Sequence, residues 1–391
     1  MEHSQVGNSQ YIRDLNLTAI FRLIHKYGPV SRKELAENTG YSAATVSNHV
    51  KRLLESKFVI ETDKGSSTGG RKPVYLTINP ERRYIVAVEI EVDRLKIIIV
   101  NLDFEIKGQR ILYLEGNEAD YVFSKMIEVI KELQQDLQLS SDKIMGLGIA
   151  VPALVDTMSA QVKFAPNLGW KDLDLRKFIE KNYQVPLLVE NEARAAVIGE
   201  KEFVYPEIDN MVYVSINQGI GCGIIFDGRL YRGASSNAGE FGHIIIDSQG
   251  PECHCGNHGC WETLASLNYV FSRYGKDSKK DLSLDSLRKR ALTGDKGIEM
   301  ILQKTGKNIG IGIVNIINSL SPEHLIIGGD ITDFKEFIDH ELKKIIKEKA
   351  LDLFYENVNI SYSQLSKRAS LYGIARMVFD SRIEEEIFAV V

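Results

Sequence analysis

Near residue 80 the spacing of apolar residues changes from helical to strand-like, and this break constrains the chain more than any other feature. Before it, Val46, Val50, Leu53 and Leu54 recur at the spacing of one buried helix stripe. After it, YIVAVEIE, LKIIIVNL and EIKGQRILYLE are β-rich runs separated by short turns. A chain of 391 residues is too long for a single core. The break therefore reads as a boundary between a small head, 1–81, and an α/β body.

The head has the punctuation of a helix-turn-helix. Ser31 and Glu34 form a capping box, Gly40 supplies a tight turn, and Ser42 caps the next helix. Leu17, Ile20, Leu23 and Ile24 supply a packing helix before it. Opposite the buried stripe stand Ala43, Ala44, Ser47, Asn48 and Lys51, with Ser42 and Thr45 at the helix start. These are small or polar groups able to approach base edges and phosphates. Phe58-Val59-Ile60, the loop DKGSSTGGRKP, and alternating Val74, Leu76 and Ile78 read as strand, loop and strand, a wing. Arg71 and Lys72 at its tip are expected to reach the minor groove, where cations are favoured. Charge agrees: residues 1–80 hold 11 Lys/Arg against 7 Asp/Glu, or +4, so the rest carries −5 − 4 = −9.

In the body, a helix is expected at about 119–138, followed by the strands IMGLGIAV and PLLVE. ENEARAAVIGEKEF opens a helix, MVYVSINQGIGCGIIF reads as a hairpin, and HLIIGG is a late buried strand. No tandem repeat with a period of about 20–50 residues is visible. Of four cysteines, Cys253, Cys255 and Cys260 fall within eight residues. With His243 they offer one nitrogen and three sulfurs, a tetrahedral donor set suited to one structural zinc per chain. Gly256 and Gly259 let the loop turn tightly enough to aim the sulfurs inward.

The segments GIAVPALVD (148–156), FAPNLGW (164–170), VENEARAAVIGE (189–200), SINQGIGCGI (215–224), NAGEFGH (237–243), CHCGNHGCWE (253–262) and LIIGGD (325–330) carry a family likeness. Through them the chain resembles the ROK family (repressors, open reading frames, kinases) over nearly its full length, and looks most like its xylose-operon repressor branch. The resemblance implies an actin/hexokinase-like fold: two α/β lobes, 82–191 and 192–371, around a sugar cleft, with a C-terminal helix at about 372–391 returning to the first lobe. It also implies zinc on His243, Cys253, Cys255 and Cys260.

Sugar hydroxyls both donate and accept, so carboxylates, amides and imidazoles suit them. Asn191, Glu192, Glu240, His243 and Glu262 supply such groups at the motif positions, and the resemblance adds Asn167. His243 is expected to serve twice, with one nitrogen on zinc and the other on a hydroxyl. ROK sugar kinases share this body, so a kinase with a DNA-binding head is the alternative. Family kinases open with an Asp-x-Gly-Gly-Thr-like phosphate loop. Here the equivalent stretch is Val88-Glu89-Ile90-Glu91-Val92-Asp93, without glycine and with carboxylates expected to repel phosphate. The second phosphate loop that the resemblance implies, Asn217-Gln218-Gly219-Ile220-Gly221, keeps its glycines, as does Gly328-Gly329, and where the kinases carry a catalytic aspartate this chain has Glu192.

The expectation is therefore a non-enzymatic repressor of carbohydrate-utilisation genes, released from its operator by a monosaccharide inducer, with xylose favoured. One helix-turn-helix reads few base pairs, so a homodimer, or a tetramer, on an inverted repeat is expected. No apolar run reaches the ~18 residues of a membrane helix, and the polar start lacks a signal peptide, so the expected location is cytoplasmic, away from any membrane.

Overall fold

A single turn of 3-10 helix, Pro80–Arg82, stands at the break in hydrophobic period and leads from the head into the first long strand of the body. The computed structural model describes residues 9–62, 74–234, 237–274 and 283–389. The head comprises α1 (Ser9–Tyr27), β1 (Val30–Ser31), α2 (Arg32–Thr39), α3 (Ala43–Glu55), β2 (Val59–Thr62) and β3 (Tyr75–Ile78), its strands ordered β1-β3-β2. Ser31 and Glu34 form the expected capping box on α2, Gly40 ends that helix at φ 70°, and Ser42 caps α3. Val46, Val50 and Leu53 are fully buried, whereas Leu54 is only half-buried and His49 completes the inner face of α3. β2 and β3 pair antiparallel as the arms of a wing. Its tip, with Arg71 and Lys72, lies outside the described residues.

The first lobe of the body is built on β4 (Tyr84–Ile90), β5 (Arg94–Asn101), β6 (Ile106–Tyr113), β7 (Ile144–Val151) and β11 (Leu187–Asn191). Their order is β11-β7-β4-β5-β6. α4 (Ala119–Asp136) covers one face of this sheet. A small sheet of β8 (Leu154–Asp156), β9 (Gln161–Ala165) and β10 (Trp170–Asp174), followed by α5 (Leu175–Asn182), is inserted between β7 and β11.

α6 (Glu192–Phe203) leads into the second lobe, which holds β12 (Met211–Ile216), β13 (Ile220–Phe226) and β14 (Arg229–Leu230). Then come α7 (Trp261–Ala265), α8 (Leu267–Tyr274), α9 (Leu284–Leu292), α10 (Lys296–Leu320), β15 (His324–Gly328), α11 (Lys335–Lys349), α12 (Asp352–Tyr355) and β16 (Asn359–Tyr362). Its sheet runs β14-β13-β12-β15-β16. In each lobe an antiparallel three-strand meander is extended by two parallel strands on the side of its first strand. The lobes thus repeat one topology that has no counterpart in a sequence repeat.

α13 (Ala369–Phe388) returns to the first lobe and packs on β4 and β7 and along α6, which itself covers β12 and β13. It begins at Ala369, earlier than the expected 372, with Ala369 and Ser370 already buried. The result is a four-layer body, sheet–α13–α6–sheet, with a cleft where the lobes part. Among the described residues no helix is long and apolar enough to cross a membrane.

Candidate functional site

On the head, the outer face of α3 is free of tertiary packing. Ala43, Ala44, Ser47, Asn48 and Lys51 are exposed, as is the cap residue Ser42. Thr45 is half-buried and its hydroxyl lies 2.9 Å from Ser42 Oγ, so these two side chains complete the cap. Among the described residues Lys51 pairs with Glu55 of its own helix, at 3.8 Å and largely exposed, an interaction a phosphate can displace.

The three cysteines and His243 converge. Their ligand atoms all lie within 4.8 Å of one another. His243 Nδ1 is 3.5 Å from Cys253 Sγ, and Cys255 Sγ is 3.6 Å from Cys260 Sγ. Zinc–sulfur bonds of about 2.3 Å in a tetrahedron need edges of about 3.7 Å, so the donor set and its spacing fit zinc. Gly259 holds φ 68°, and a Cβ there would overlap the carbonyl oxygen of Asp247, so the loop closes only with glycine. Nδ1 faces the sulfurs, which leaves Nε2 of His243 for the cleft.

All six residues expected to touch a sugar line one cavity of about 1080 Å³ between the lobes. Glu240 and His243 come from the segment after β14, Glu262 from α7, Asn167 from the turn between β9 and β10, and Asn191 and Glu192 from the β11–α6 junction. They are not equally free. Asn191 Oδ1 caps α6 by accepting from Ala193 and Arg194 N–H, and its Nδ2 donates to the Ala153 carbonyl at 3.1 Å. One amide hydrogen remains for a ligand. Glu192 accepts from Ser215 Oγ at 2.7 Å. Burial, helped by Glu89, pushes its carboxyl up to about 8.

The other half of the cavity corrects one expectation. Glu89 and Glu91 are not bare carboxylates. Lys96 binds both, the former at 3.0 Å; Arg94 binds Glu91 and, across the cleft, Asp330. Lys367 adds contacts to Asp330 at 3.1 Å and Asp333 at 2.7 Å. Burial alone would raise the Asp330 carboxyl, but Arg94 and Lys367 hold it below the ordinary range. This half is therefore lined by a clasp of paired charges joining both lobes, and a phosphate there would compete with Glu91 and Asp330 for Arg94, Lys96 and Lys367 rather than meet bare carboxylates.

Sequence reasoning missed Arg94, Lys96, Asp330 and Lys367, as well as Ser215. The signal was present for one of them: Lys96 interrupts an apolar run whose strand is otherwise buried, and a buried lysine requires a carboxylate. Gly219 was read as part of a phosphate loop. A Cβ there would lie 2.8 Å from Asn167 Nδ2 and 2.9 Å from Glu262 Oε2, so Gly219 is the floor of the sugar half.

The ROK family model matches residues 85–381, and a helix-turn-helix domain model matches residues 19–62. The chain is 33% identical to the xylose repressor of Bacillus subtilis (strain 168), over 96% of this chain and 97% of that one. Among solved structures, a ROK family transcriptional regulator described as a homolog of the E. coli MLC protein superposes with a TM-score of 0.79 at 28% identity, covering 97% of this chain and 98% of that one. A ROK family glucokinase from Streptomyces griseus, in complex with glucose and AMPPNP, shares the body fold: TM-score 0.65 and 24% identity over 75% of this chain and 98% of the kinase.

Proposed function

This chain belongs to the ROK family, and on that premise we propose that it is a DNA-binding transcriptional repressor whose cleft takes a monosaccharide inducer, xylose first among the candidates. One observation carries the reading. The cleft keeps open hydrogen-bonding groups in its sugar half and lines its other half with the paired charges of the Glu91–Arg94–Asp330–Lys367 clasp, while the same chain bears a capped helix with an exposed polar face. Such a cleft is suited to hold a sugar and ill-suited to hold ATP.

His243, Cys253, Cys255 and Cys260 would hold one zinc per chain, which would cross-link the loop carrying His243. His243 Nε2, Glu240, Glu262, Asn167, Glu192 and the remaining Asn191 hydrogen would meet the hydroxyls of the ring. Ser42, Ala43, Ala44, Thr45, Ser47, Asn48 and Lys51 would face the major groove, and Arg71 and Lys72 the minor groove. Two copies would read an inverted repeat. The domain limits proposed are 1–81 for the head and 82–191 and 192–371 for the lobes, with the C-terminal helix belonging to the first. The xylose preference rests on the named relative and on no single contact in the cleft.

The test has two arms. A thermal-shift screen against D-xylose, D-glucose, L-arabinose and N-acetyl-D-glucosamine should give one clear stabiliser. Binding to a duplex that the protein selects from a randomised pool should weaken when that sugar is added, and Glu240→Ala should abolish the response. A rise in operator affinity would make the sugar a co-repressor. ATP turnover stimulated by any pentose or hexose would overturn the non-enzymatic reading.

A further inference from the structure

The sugar half of the cleft and the DNA-reading helix lie far apart in the chain, and two packed helices join them. α6 starts inside the cleft, with Asn191 as its cap and Glu192 as its first residue. It then lies against α13 at a separation that only glycine permits. A Cβ on Gly199 would overlap the Ala369 carbonyl oxygen, and one on Gly373 would overlap that of Ala195. Packed backbones this close do not deform by degrees; they move together or re-register as a unit.

The far part of α13 meets the head. The Phe379 ring stacks on His25 of α1 with centroids 4.9 Å apart, and His25 Nε2 lies 3.1 Å from the Leu102 carbonyl in the β5–β6 turn. Arg22 of α1 reaches Asp380 at 3.7 Å and Glu384 at 3.4 Å. The apolar core runs through this junction without a gap: Phe21 of α1, Val50 of α3, Ile98 of β5 and Phe379 of α13 belong to one buried cluster. A head carried on a free linker would have a core of its own.

Arg376 sits where these contacts cross. Its guanidinium pairs with Glu202, near the end of α6, at 3.5 Å and with Asp380 at 2.7 Å. It also lies over the rings of Phe104 and Phe379, at 6.0 and 5.4 Å from their centroids. One side chain therefore touches the cleft helix, the returning helix and the turn that abuts the head.

We propose that α6 and α13 form a single lever, keyed at the Gly199–Gly373 crossing and pivoting at Arg376, that transmits a displacement of Glu192 in the cleft to α1 and so to the orientation of α3; this rests on the regulator reading above. A ligand that draws Glu192 toward the opposite wall moves the start of α6. α13 must follow, because the glycine contact leaves no slack. The His25–Phe379 stack and the Arg22 ion pairs then carry the motion to the head. In a dimer, turning both heads alters their spacing against fixed half-sites. The lever assigns Arg376 to coupling and to neither binding event.

The experiment uses full-length Arg376→Met, which keeps an aliphatic chain over Phe104 and Phe379 but removes both ion pairs, and Glu202→Gln, which removes only the α6 contact. The probes are the monosaccharide of the four-sugar panel with the largest thermal shift and the duplex selected by the wild type. Each affinity measured alone should stay within about threefold of wild type, while the factor by which sugar weakens operator binding, ordinarily about 5–150-fold, falls toward one in Arg376→Met and part of the way in Glu202→Gln. Full wild-type coupling in both variants would overturn the lever. If Arg376→Met is unstable, full coupling in the milder Glu202→Gln is enough to overturn it. A wild type that binds no duplex, or whose operator affinity ignores every sugar, overturns the regulator reading itself and with it the lever.

Discussion

The two halves of the cleft are built from the same side-chain chemistry and treat it oppositely. On the side of the Cys3His cluster, Glu240, His243 and Glu262 are gathered by a cysteine loop that engages one oxygen of Glu262, through the Cys253 thiol at 3.1 Å, and leaves its other oxygen and Glu240 facing the cavity. On the clasp side, Glu89, Glu91 and Asp330 are matched against Arg94, Lys96 and Lys367, so these charges are already engaged with one another. A binding site needs groups that are ordered yet unsatisfied, because unsatisfied polar groups are what a ligand repairs. A joint between lobes needs the reverse. One duplicated scaffold supplies both, and the difference lies in where opposite charges fall: Glu89 and Lys96 on paired strands, Glu91 in the turn after β4, and Asp330 and Lys367 in the 3-10 turns that follow β15 and β16.

Removing the metal should break this contrast most severely. Cys255→Ala should lower zinc from about one per chain to near zero by elemental analysis, and sugar binding should vanish from calorimetry because His243 and Glu262 lose their shared frame. Operator binding without sugar should persist, since the head's contacts do not involve the loop. Metal-free protein that binds sugar as well as the wild type would mean that the zinc side is ordered by something else.

The opposite half is tested by Asp330→Asn. Asp330 is the one carboxylate of the clasp contributed by the second lobe to Arg94 of the first. Arg94 and Lys367 each retain another partner, so the cost should be about 2–3 kcal/mol rather than the full penalty of an orphaned buried charge. Denaturant unfolding should show it, with sugar affinity changed by less than about threefold. An unchanged midpoint would mean that the clasp holds nothing.

This contrast was only partly legible in the residues. The clustering of His243, Cys253, Cys255 and Cys260 could be read because these residues are close in the chain and of rare types. The capped helices of the head could be read because capping is local. The clasp could not, because Arg94, Asp330 and Lys367 are brought together only by the fold, and each alone is an ordinary surface charge. The carboxylates Glu89 and Glu91 were legible as residues, but their neutralisation by Lys96 depends on the cross-strand register Glu89↔Lys96 and on a turn. The doubled topology was hidden for a related reason. Both meanders need only alternating or continuous apolar runs, and the second lobe places the cysteine loop and four helices, α7 to α10, between β14 and β15.

Where the halves meet, Glu192 supplies a pH test. Its carboxyl is raised from 4.5 to about 8, chiefly by burial. For an acid with a raised folded value, the folded state binds the extra proton. Stability is therefore fully present below about 4.5 and is lost progressively as pH climbs to about 8, beyond which this group adds no further slope. Glu192→Gln is neutral at every pH. The fall in unfolding free energy between pH 5 and pH 8, read from denaturant titrations, should shrink in the variant by an amount on the order of 1–2 kcal/mol once solvent relaxation is allowed for. Parallel curves for the two proteins would place the Glu192 carboxylate in a more hydrated setting than its contact with Ser215 indicates.

The smallest effect decides to which half the glycine loop Asn217–Gly221 belongs. By resemblance to the kinases it is a phosphate loop and would serve the clasp side. By geometry Gly219 lies under the sugar side, where an added Cβ meets Asn167 Nδ2 at 2.8 Å and Glu262 Oε2 at 2.9 Å. Both atoms end flexible side chains, so Gly219→Ala can be accommodated by moving them, and the fold should not suffer. Moving them takes two hydrogen-bonding groups away from the ring. Sugar affinity should fall roughly tenfold, about 1.4 kcal/mol, while the melting temperature, zinc content and sugar-free operator affinity stay at wild-type values. The two readings diverge on this one substitution. A loop serving the clasp side would leave sugar affinity untouched and lower stability, as Asp330→Asn does. A loop serving the sugar side gives the converse, and the pair of variants then separates the cleft into a half that binds and a half that holds.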